Sequence, residues 1–503
     1  MRLIPPVRGP SVAALSLFSL LTARVSAQTP NGRGAALPAW EGPWETILAQ
    51  PDGAQMPVGW GEMVLIYTLW VIVALILIYT ARHYLFTLSR LLGRQRHPYA
   101  ALDTLVWPHL TVFVPAHNEE AVIAGSLDAL LEVDYPTDRM RVVVVNDRST
   151  DRTREIVDAY VERYPDRIVP FHREGGTPGK AAALGEAMAL AYGEIALVFD
   201  ADYLPGRDLI RQLAAPFADP QVGAVMGRVI PDNAGTNLLT RLLDLERTGG
   251  YQVDQQARMN LDLIPQYGGT VGGVRLRALD AVGGWRPDAL AEDTDLTFRL
   301  VADGWTVAYA NRSECYEEVP ESWAVRIRQI RRWARGHTDA AQRHAIKVLG
   351  ARALRPRARL DGLLLLGVYA MSPVLLLGWV AATALFYLGY HPVHGLLAAL
   401  AVASYNTVGN FAVFFEIGTA ARLDGAPRRS RLLPLNAFGF LVSLIASSQA
   451  VLAGMIPRRR KTVVWDKTER YRTEAPVSDA TGDSERSPAR SDRTPQPRAR
   501  VRS

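Results

Sequence analysis

The sequence predicts an α/β domain with a mainly parallel sheet, joined to an α-helical transmembrane bundle. Short β-branched runs, each followed by a polar turn and a helical pattern, recur in the middle of the chain, as in βαβ units. Uncharged stretches on both sides of this region are long enough to cross a hydrocarbon core of about 30 Å. With 503 residues, 49% of them apolar, and one cysteine, the composition excludes a disulfide scaffold and a disordered polymer.

The uncharged stretches divide the chain. Residues 62–82 are predicted to form a transmembrane helix, followed by a juxtamembrane segment at 83–107. Residues 361–457 contain two further uncharged stretches, 362–415 and 432–457, and are predicted to form transmembrane or re-entrant helices.

The charges beside these stretches predict an orientation. Arginines follow the first helix, which favours a multi-pass protein of the plasma (inner) membrane with its central domain in the cytoplasm. Two crossings in 362–415 and one in 432–457 would place the basic residues 458–461 outside, against the positive-inside rule. Residues 395–416, which contain polar groups, are therefore a candidate re-entrant segment, and the number of crossings stays open.

The two ends of the chain have their own signatures. Residues 1–27 combine basic residues, an apolar run and a small-residue site, as in a signal peptide, and the alternatives are a short uncleaved anchor or an overlong start. Residues 28–61 are predicted to be a linker. Residues 458–503 are predicted to be a basic juxtamembrane segment and a disordered tail, because they are polar and rich in Ser, Pro and Arg.

Acidic side chains follow the predicted strands of the central domain. Runs at 110–114, 141–145 and 195–199 are read as strands, and ligands of open α/β sheets lie outside the carboxyl ends of the strands. The acidic residues at these ends include Glu119, Asp147, Asp200 and Asp202, and also Asp151, which is read as a helix cap. An Asp-x-Asp after a buried strand places two oxygen ligands where a divalent cation can bridge a diphosphate.

These residues belong to a series of motifs. VPAHNE at 114–119, VNDRSTD at 145–151, GKAAAL at 179–184, DAD at 200–202, ED at 292–293 and QIRRW at 329–333 follow one another along the chain. The series resembles family 2 glycosyltransferases, whose catalytic domain has a Rossmann-like GT-A fold and binds a nucleotide sugar. The Gln-x-x-Arg-Trp pattern is similar to that of membrane-embedded, processive β-glycan synthases, such as cellulose, chitin, hyaluronan and poly-N-acetylglucosamine synthases. The resemblance makes 108–320 the glycosyltransferase catalytic domain and 321–350 an amphipathic interface helix.

The resemblance also implies roles on the donor side. Asp147 is expected to contact uracil, and Lys180 the diphosphate, where a preplaced cation stabilises the leaving UDP. Asp202, with Asp200, is expected to hold Mg²⁺ or Mn²⁺. The implied nucleotide-binding set is Glu119, Asp147, Lys180, Asp200 and Arg332.

On the acceptor side, the resemblance makes Asp293 the general base, with Glu292 beside it. The implied acceptor-binding residues are Gly269, Thr270, Gln329 and Trp333. Ala291 replaces a Thr or Ser that is frequent in the family, which removes one acceptor-side hydroxyl. Asp295 is expected to cap a helix, and Arg326 and Arg328 are expected to face lipid headgroups.

The expected activity is inverting, metal-dependent transfer from UDP-N-acetylglucosamine or UDP-glucose to a growing β-glycan, which the membrane helices would help to export. Two alternatives stay open: a non-processive enzyme that glycosylates a lipid, and a scaffold with a degenerate domain. The expected partners are the donor, a glycan or lipid acceptor and membrane lipids. Nucleic acid is not expected, because much of the basic excess lies beside apolar spans. An accessory membrane subunit stays open, because no residue indicates one.

Overall fold

A computed structural model describes residues 59–97, 106–388 and 411–455. All of them belong to the larger of two compact units of the chain. The predicted signal peptide and the predicted tail lie outside the described residues, as do nearly all of the linker and most of the re-entrant candidate 395–416.

The described elements alternate between strands and helices through the central domain. The strands are β1 Leu110–Ala116, β2 Met140–Asp147, β3 Ile168–Arg173, β4 Ile195–Val198, β5 Leu204–Pro205, β6 Val222–Pro231, β7 Gly272–Arg275 and β8 Thr306–Glu317. The helices up to β8 are α1 Trp60–Leu92, α2 Ile123–Leu131, α3 Thr153–Arg163, α4 Lys180–Ala187, α5 Leu209–Ala214, α6 Leu238–Thr248, α7 Gln256–Asn260, α8 Leu276–Ala281 and α9 Glu292–Ala302. A π-helix, Gly249–Gln255, joins α6 to α7. The later helices are α10 Trp323–Gly350, α11 Pro356–Leu366, α12 Met371–Tyr387, α13 at 411–423 and α14 Leu433–Met455.

The eight strands form one mixed, mostly parallel sheet. Its order is β3-β2-β1-β4-β7-β6-β8-β5, and β3, β2, β1 and β4 are mutually parallel, as predicted. All seven residues of β1 are buried, which is typical of a parallel strand covered on both faces. The antiparallel strand β7 lies between β4 and β6.

Two glycines allow β7 to enter the sheet. A Cβ at Gly273 would lie 2.3 Å from Leu197 Cδ2, and a Cβ at Gly272 would lie 2.3 Å from the carbonyl oxygen of Val225. The close packing of β7 against its neighbouring strands therefore requires glycine at these two positions.

Helix α1 extends beyond the predicted span. It continues through residues 83–92, which the sequence assigned to a juxtamembrane segment. Phe86 is 1% exposed and packs with Val253 and Ala257, and Arg90 Nε donates a hydrogen bond to the carbonyl oxygen of Gln252 at 2.8 Å. The second part of α1 is therefore a docking segment that fixes the apolar part to the central domain.

Among the described residues, two helical stretches are long and apolar enough to cross a membrane. They are Trp60–Leu92 and Pro427–Met455. Helices α11 and α12 meet at an angle of 72° and make a third candidate if the bent pair counts as one span. Large apolar side chains on α1, such as Trp60 and Trp70, are more than 60% exposed, as expected for contact with lipid.

Helix α10 carries the Gln-x-x-Arg-Trp motif. It begins after Ser322, whose hydroxyl accepts a hydrogen bond from the Val325 N–H at 3.4 Å. It packs against α11 and α14, and Ala334 is fully buried among residues of α14. The interface helix predicted at 321–350 is therefore enclosed on one side by the candidate membrane helix α14.

Candidate functional site

The carboxyl ends of β1 and β2 form one side of the site. Asn118 and Arg148 each lie just beyond a strand and have positive φ angles of 56° and 55°. The backbone therefore turns sharply at both positions. The Asn118 side chain accepts a hydrogen bond from the backbone N–H of Thr150 at 2.7 Å, which ties the two loops together. Glu119 is 6% exposed and lines the cleft described below.

Asp147 lies at the end of β2, beside Arg173 at the end of β3. Its Oδ1 accepts hydrogen bonds from Arg148 Nε and Arg173 Nη1, both at 2.8 Å, and its Oδ2 accepts one from Arg148 Nη2 at 2.9 Å. Burial alone would raise the pKa of Asp147, but the hydrogen bond from Arg148 and the charge of Arg173 outweigh it, so the pKa is lowered. Asp147 is thus a buried carboxylate held by two arginines, and its predicted contact with uracil stays a prediction.

Lys180, the first residue of α4, links the donor and acceptor sides. Its Nζ donates hydrogen bonds to Asp200 Oδ1 at 2.5 Å and to the carbonyl oxygen of Gly269 at 2.9 Å, and it lies 3.9 Å from Glu292 Oε1. Burial lowers the pKa of this amine, but the carboxylates of Asp200 and Glu292 more than compensate, and the pKa is raised. Lys180 is therefore a fixed positive charge between the two acidic motifs.

Glu292 and Asp293 form the first turn of α9. Asp293 Oδ1 accepts a hydrogen bond from the Thr294 N–H at 2.6 Å. Burial raises the pKa of both carboxyl groups, and the negative charge of Asp293 raises that of Glu292 further. A carboxylate with a raised pKa is a stronger base, which suits the role predicted for Asp293.

The loop before β7 brings its backbone against these acids. Gly269 has φ +73°, and a Cβ there would lie 3.1 Å from Asp293 Cβ and 3.3 Å from Glu292 Oε1. The neighbouring Thr270 Oγ1 accepts a hydrogen bond from the Asp200 N–H at 3.1 Å. The predicted acceptor residues Gly269 and Thr270 thus connect the DAD and ED motifs.

The DAD motif supplies the candidate metal ligands. Within the described residues, no group of three or more His, Cys, Asp or Glu side chains is arranged to hold a metal ion. Asp202 is 3% exposed, and both Asp202 and Asp200 line the cleft. Two carboxylates fit Mg²⁺ or Mn²⁺, because such ions in nucleotide sites are commonly held by one or two carboxylates together with substrate phosphates and water.

Helix α10 carries the Gln-x-x-Arg-Trp motif, whose side chains line the same cleft as these acids. The guanidinium groups of Arg247 and Arg326 lie 5.2 and 5.3 Å from the ring of Trp333. Arg326 also donates hydrogen bonds to Gln329 Oε1 at 2.8 Å and to Glu246 Oε1 at 2.5 Å. Arg326 is only 4% exposed, so our expectation that it faces lipid headgroups is wrong: it holds Gln329 and Trp333 in place.

Helix α9 is fixed to α10 at two points. A Cβ at Gly336 would lie 2.7 Å from Ala291 Cβ, so the two helices touch just before the ED motif. Asp295 is buried, and its carboxylate bonds to Arg299 Nε at 2.7 Å and to His344 Nε2 at 2.8 Å. Asp295 therefore holds the two helices together, a role that the capping prediction did not include.

A single cleft of about 2400 Å³ brings most of the predicted residues together. The predicted residues that line it are Glu119, Lys180, Asp200, Asp202, Thr270, Glu292, Asp293, Gln329, Arg332 and Trp333. Asp147 and Gly269 are not among the lining residues. The cleft also continues between the candidate membrane helices, where Tyr79, Val368 and Leu444 line it.

Sequence reasoning missed several contributors to the site. Arg173 ends strand β3, which was not predicted, although its position after a strand is the signal that identified Asp147. Arg247 lines the cleft and forms a salt bridge with Glu317 at 2.9 Å, yet α6 carries no motif. His337 follows Trp333 by one helical turn and also lines the cleft.

Comparison with known proteins agrees with this arrangement. Residues 108–336 match the model of the family described as glycosyltransferase like family 2. A probable glycosyltransferase of Bacillus subtilis, YdaM, is 35% identical over 51% of this chain and 60% of its own length. A beta-monoglucosyldiacylglycerol synthase of Synechocystis is 37% identical over 46% of this chain and 49% of its own. The matched region therefore spans about half to three fifths of these relatives.

The fold comparison reaches beyond that region. The structure of a mannosyltransferase from Pyrobaculum calidifontis, in complex with GDP-Man and Mn²⁺, has a TM-score of 0.53 and 24% sequence identity. The match covers 78% of this chain and 99% of the mannosyltransferase chain, and it supports the GT-A-like fold. The family match and the relatives support the assignment of residues 108–336 as a family 2 glycosyltransferase domain.

Proposed function

We propose that the protein is an inverting glycosyltransferase that transfers a sugar from a UDP-sugar to the hydroxyl group of a membrane lipid. The observation that carries the proposal is the continuous cleft, which runs from the DAD and ED motifs to the candidate membrane helices. Such a cleft admits a lipid whose hydroxyl reaches Asp293 while its alkyl chains stay among apolar helices. The Synechocystis relative, named for the synthesis of monoglucosyldiacylglycerol, supports a glycolipid product and UDP-glucose as the leading donor.

The proposed step is a single displacement. Asp293 accepts the proton of the lipid hydroxyl, whose oxygen forms a bond to the anomeric carbon of the sugar. The bond from that carbon to the diphosphate oxygen breaks, and its electron pair leaves with UDP. General base catalysis contributes about 10²- to 10⁴-fold, and fixed charge adds to this. Inversion converts an α-linked donor into a β-glycoside.

Charged side chains of the cleft have roles in the same step. Lys180 and Arg332 both line the cleft, and in this proposal they stabilise the negative charge that develops on the departing diphosphate. Asp200 and Asp202 would hold Mg²⁺ or Mn²⁺, which supplies further positive charge when bound. Trp333, whose ring contacts Arg247 and Arg326, offers an apolar surface to the acceptor.

The proposed location is the plasma membrane, with the catalytic domain on the cytoplasmic side, where UDP-sugars are made. The arginines that follow the apolar part of α1 support this orientation. The expected export of the product through a membrane bundle is not part of the proposal, because the described residues contain two or three candidate spans.

A β-linked polymer is the second candidate product, and the Gln-x-x-Arg-Trp motif is the observation that favours it. The deciding assay supplies the purified full chain in nanodiscs with diacylglycerol, Mg²⁺ or Mn²⁺, and UDP-glucose or UDP-N-acetylglucosamine in separate reactions. We expect UDP release together with a lipid that carries one sugar, identified by mass spectrometry. A long polymer would replace the lipid proposal with processive synthesis, and the absence of both products would contradict both candidates.

A further inference from the structure

His337 is a cleft residue that the proposed transfer step does not use. It lies four residues after Trp333 on α10, so both side chains are on the same face of the helix, which lines the cleft. Its ring centroid lies 4.9 Å from that of Tyr369, at the break between α11 and α12. His337 therefore marks the point where the acidic part of the cleft meets the candidate membrane helices.

The imidazole has an unused hydrogen-bonding atom. Nδ1 of His337 is buried, and no hydrogen-bond partner for it exists among the residues that the structure describes. A buried polar atom without a partner costs free energy, so such atoms are rare unless a ligand or water binds them. Burial and the charge of Arg258 lower the pKa of His337 to about 4, so the ring is neutral at physiological pH.

Beyond His337 the wall of the cleft becomes apolar. Val368, Met371 and Leu375 line it from the break and from α12, and Leu444 lines it from α14. Leu444 belongs to a helix that is long and apolar enough to cross a membrane, and Met371 and Leu375 belong to the bent pair that makes a further candidate span. A neutral polar atom next to an apolar wall matches an uncharged lipid, whose polar glycerol region joins its alkyl chains.

We propose that these residues form the binding site of the lipid acceptor: His337 hydrogen-bonds the polar glycerol region of an uncharged lipid, and its alkyl chains lie along Val368, Met371, Leu375 and Leu444. The inference rests on the proposed glycolipid function and names the acceptor site. His337 is a positioning residue in this site, because it holds the lipid while Asp293 takes the proton.

The first test is independent of catalysis. A diacylglycerol that carries a diazirine in one alkyl chain is photoactivated with the full chain in nanodiscs, without donor, and labelled peptides are mapped by mass spectrometry. We expect label in α12 or α14, and its loss in Leu375→Trp, which fills the apolar wall. Leu377→Trp is the matched control, because Leu377 lies on the same helix, is 51% exposed and does not line the cleft.

The second test separates acceptor from donor binding. Leu375→Trp and His337→Leu should each raise the KM for diacylglycerol about tenfold, at an unchanged KM for the UDP-sugar. His337→Gln should restore much of the acceptor affinity, because its amide can form the hydrogen bond, whereas a merely structural histidine would not be rescued in this way.

The outcomes distinguish this inference from the proposed function. Equal labelling of the wild type, Leu375→Trp and Leu377→Trp would overturn the site, even if the enzyme makes glycolipid. If Leu375→Trp removes the label and Leu377→Trp does not, the lipid site is supported, even if no sugar is transferred.

Discussion

The donor end and the membrane end of the cleft are built in different ways. At the donor end, Lys180 bonds to Asp200 just after β4. Asp147, which does not line the cleft, pairs in register with Arg173 at the neighbouring strand ends. At the membrane end, His337 faces Tyr369, and the wall comes from helices that are far apart in the chain. The donor end is therefore set by the register of the sheet, and the membrane end by helix packing.

Under the proposed function, this difference indicates which property each end controls. Preorganised charges on a sheet stabilise a leaving group without moving, which suits chemistry that is common to many transferases. A wall made of separate helices can change its shape by altering a few contacts, which suits the choice of acceptor. The following substitutions test whether chemistry and acceptor choice are separable in this way.

The largest effect is expected for Asp293→Asn, which removes the proposed base at the junction of the two ends. Its kcat should fall about 10²- to 10⁴-fold, while UDP binding measured by calorimetry stays unchanged. Because the pKa of Asp293 is raised, the wild type should lose activity, as pH falls, at a higher pH than an ordinary aspartate would require. Full activity in a folded Asp293→Asn protein would contradict the assignment.

A smaller effect is expected at the donor end for Asp202→Asn. It should lower kcat about 100-fold, because a bound cation contributes several kcal/mol of charge stabilisation. In the wild type, Mn²⁺ should raise the Tm measured with UDP present, and Asp202→Asn should abolish this increase. If the variant responds to Mn²⁺ as the wild type does, Asp202 is not a principal ligand.

The smallest catalytic effect, with a clear loss of stability, is expected for Asp295→Asn. The change breaks a buried ion pair with Arg299 and alters the hydrogen bond between the carboxylate and His344. Breaking a buried ion pair typically costs about 3–5 kcal/mol. Burial alone would raise the pKa of Asp295, but the hydrogen bond from His344 and the charge of Arg299 lower it.

The pH dependence gives a check on this role. A lowered pKa in the folded state means that Asp295 stabilises the fold at neutral pH, and that this contribution is lost as pH falls through the folded pKa. Thermal unfolding should therefore separate the wild type and Asp295→Asn at pH 7 and bring them closer together in acid. A constant difference in Tm across this range would contradict the role of the ionised carboxylate.

The motifs and much of the donor end could be predicted from the sequence. Strands β1, β2 and β4 have β-branched runs with polar ends, and parallel pairing brings those ends to one edge. Strand β3 was missed because its run, IVPFHR, mixes polar residues with a proline and is only partly buried. Its end residue Arg173, the main surprise of the donor end, was missed with it.

By itself the sequence determined which chemical groups the protein has and the approximate positions of strands β1, β2 and β4 and of the apolar helix α1, because these depend on local patterns of residues. Only the tertiary structure decided which partner each charged group has. Arg326 lies in a basic helix, from which contact with lipid headgroups was expected, yet it is buried against Glu246 and Trp333. Asp293 and Asp295 stand two residues apart, yet burial raises the pKa of the first, while Arg299 and His344 lower that of the second. Contacts between segments that are distant in the sequence set these environments, and local sequence patterns do not predict such contacts.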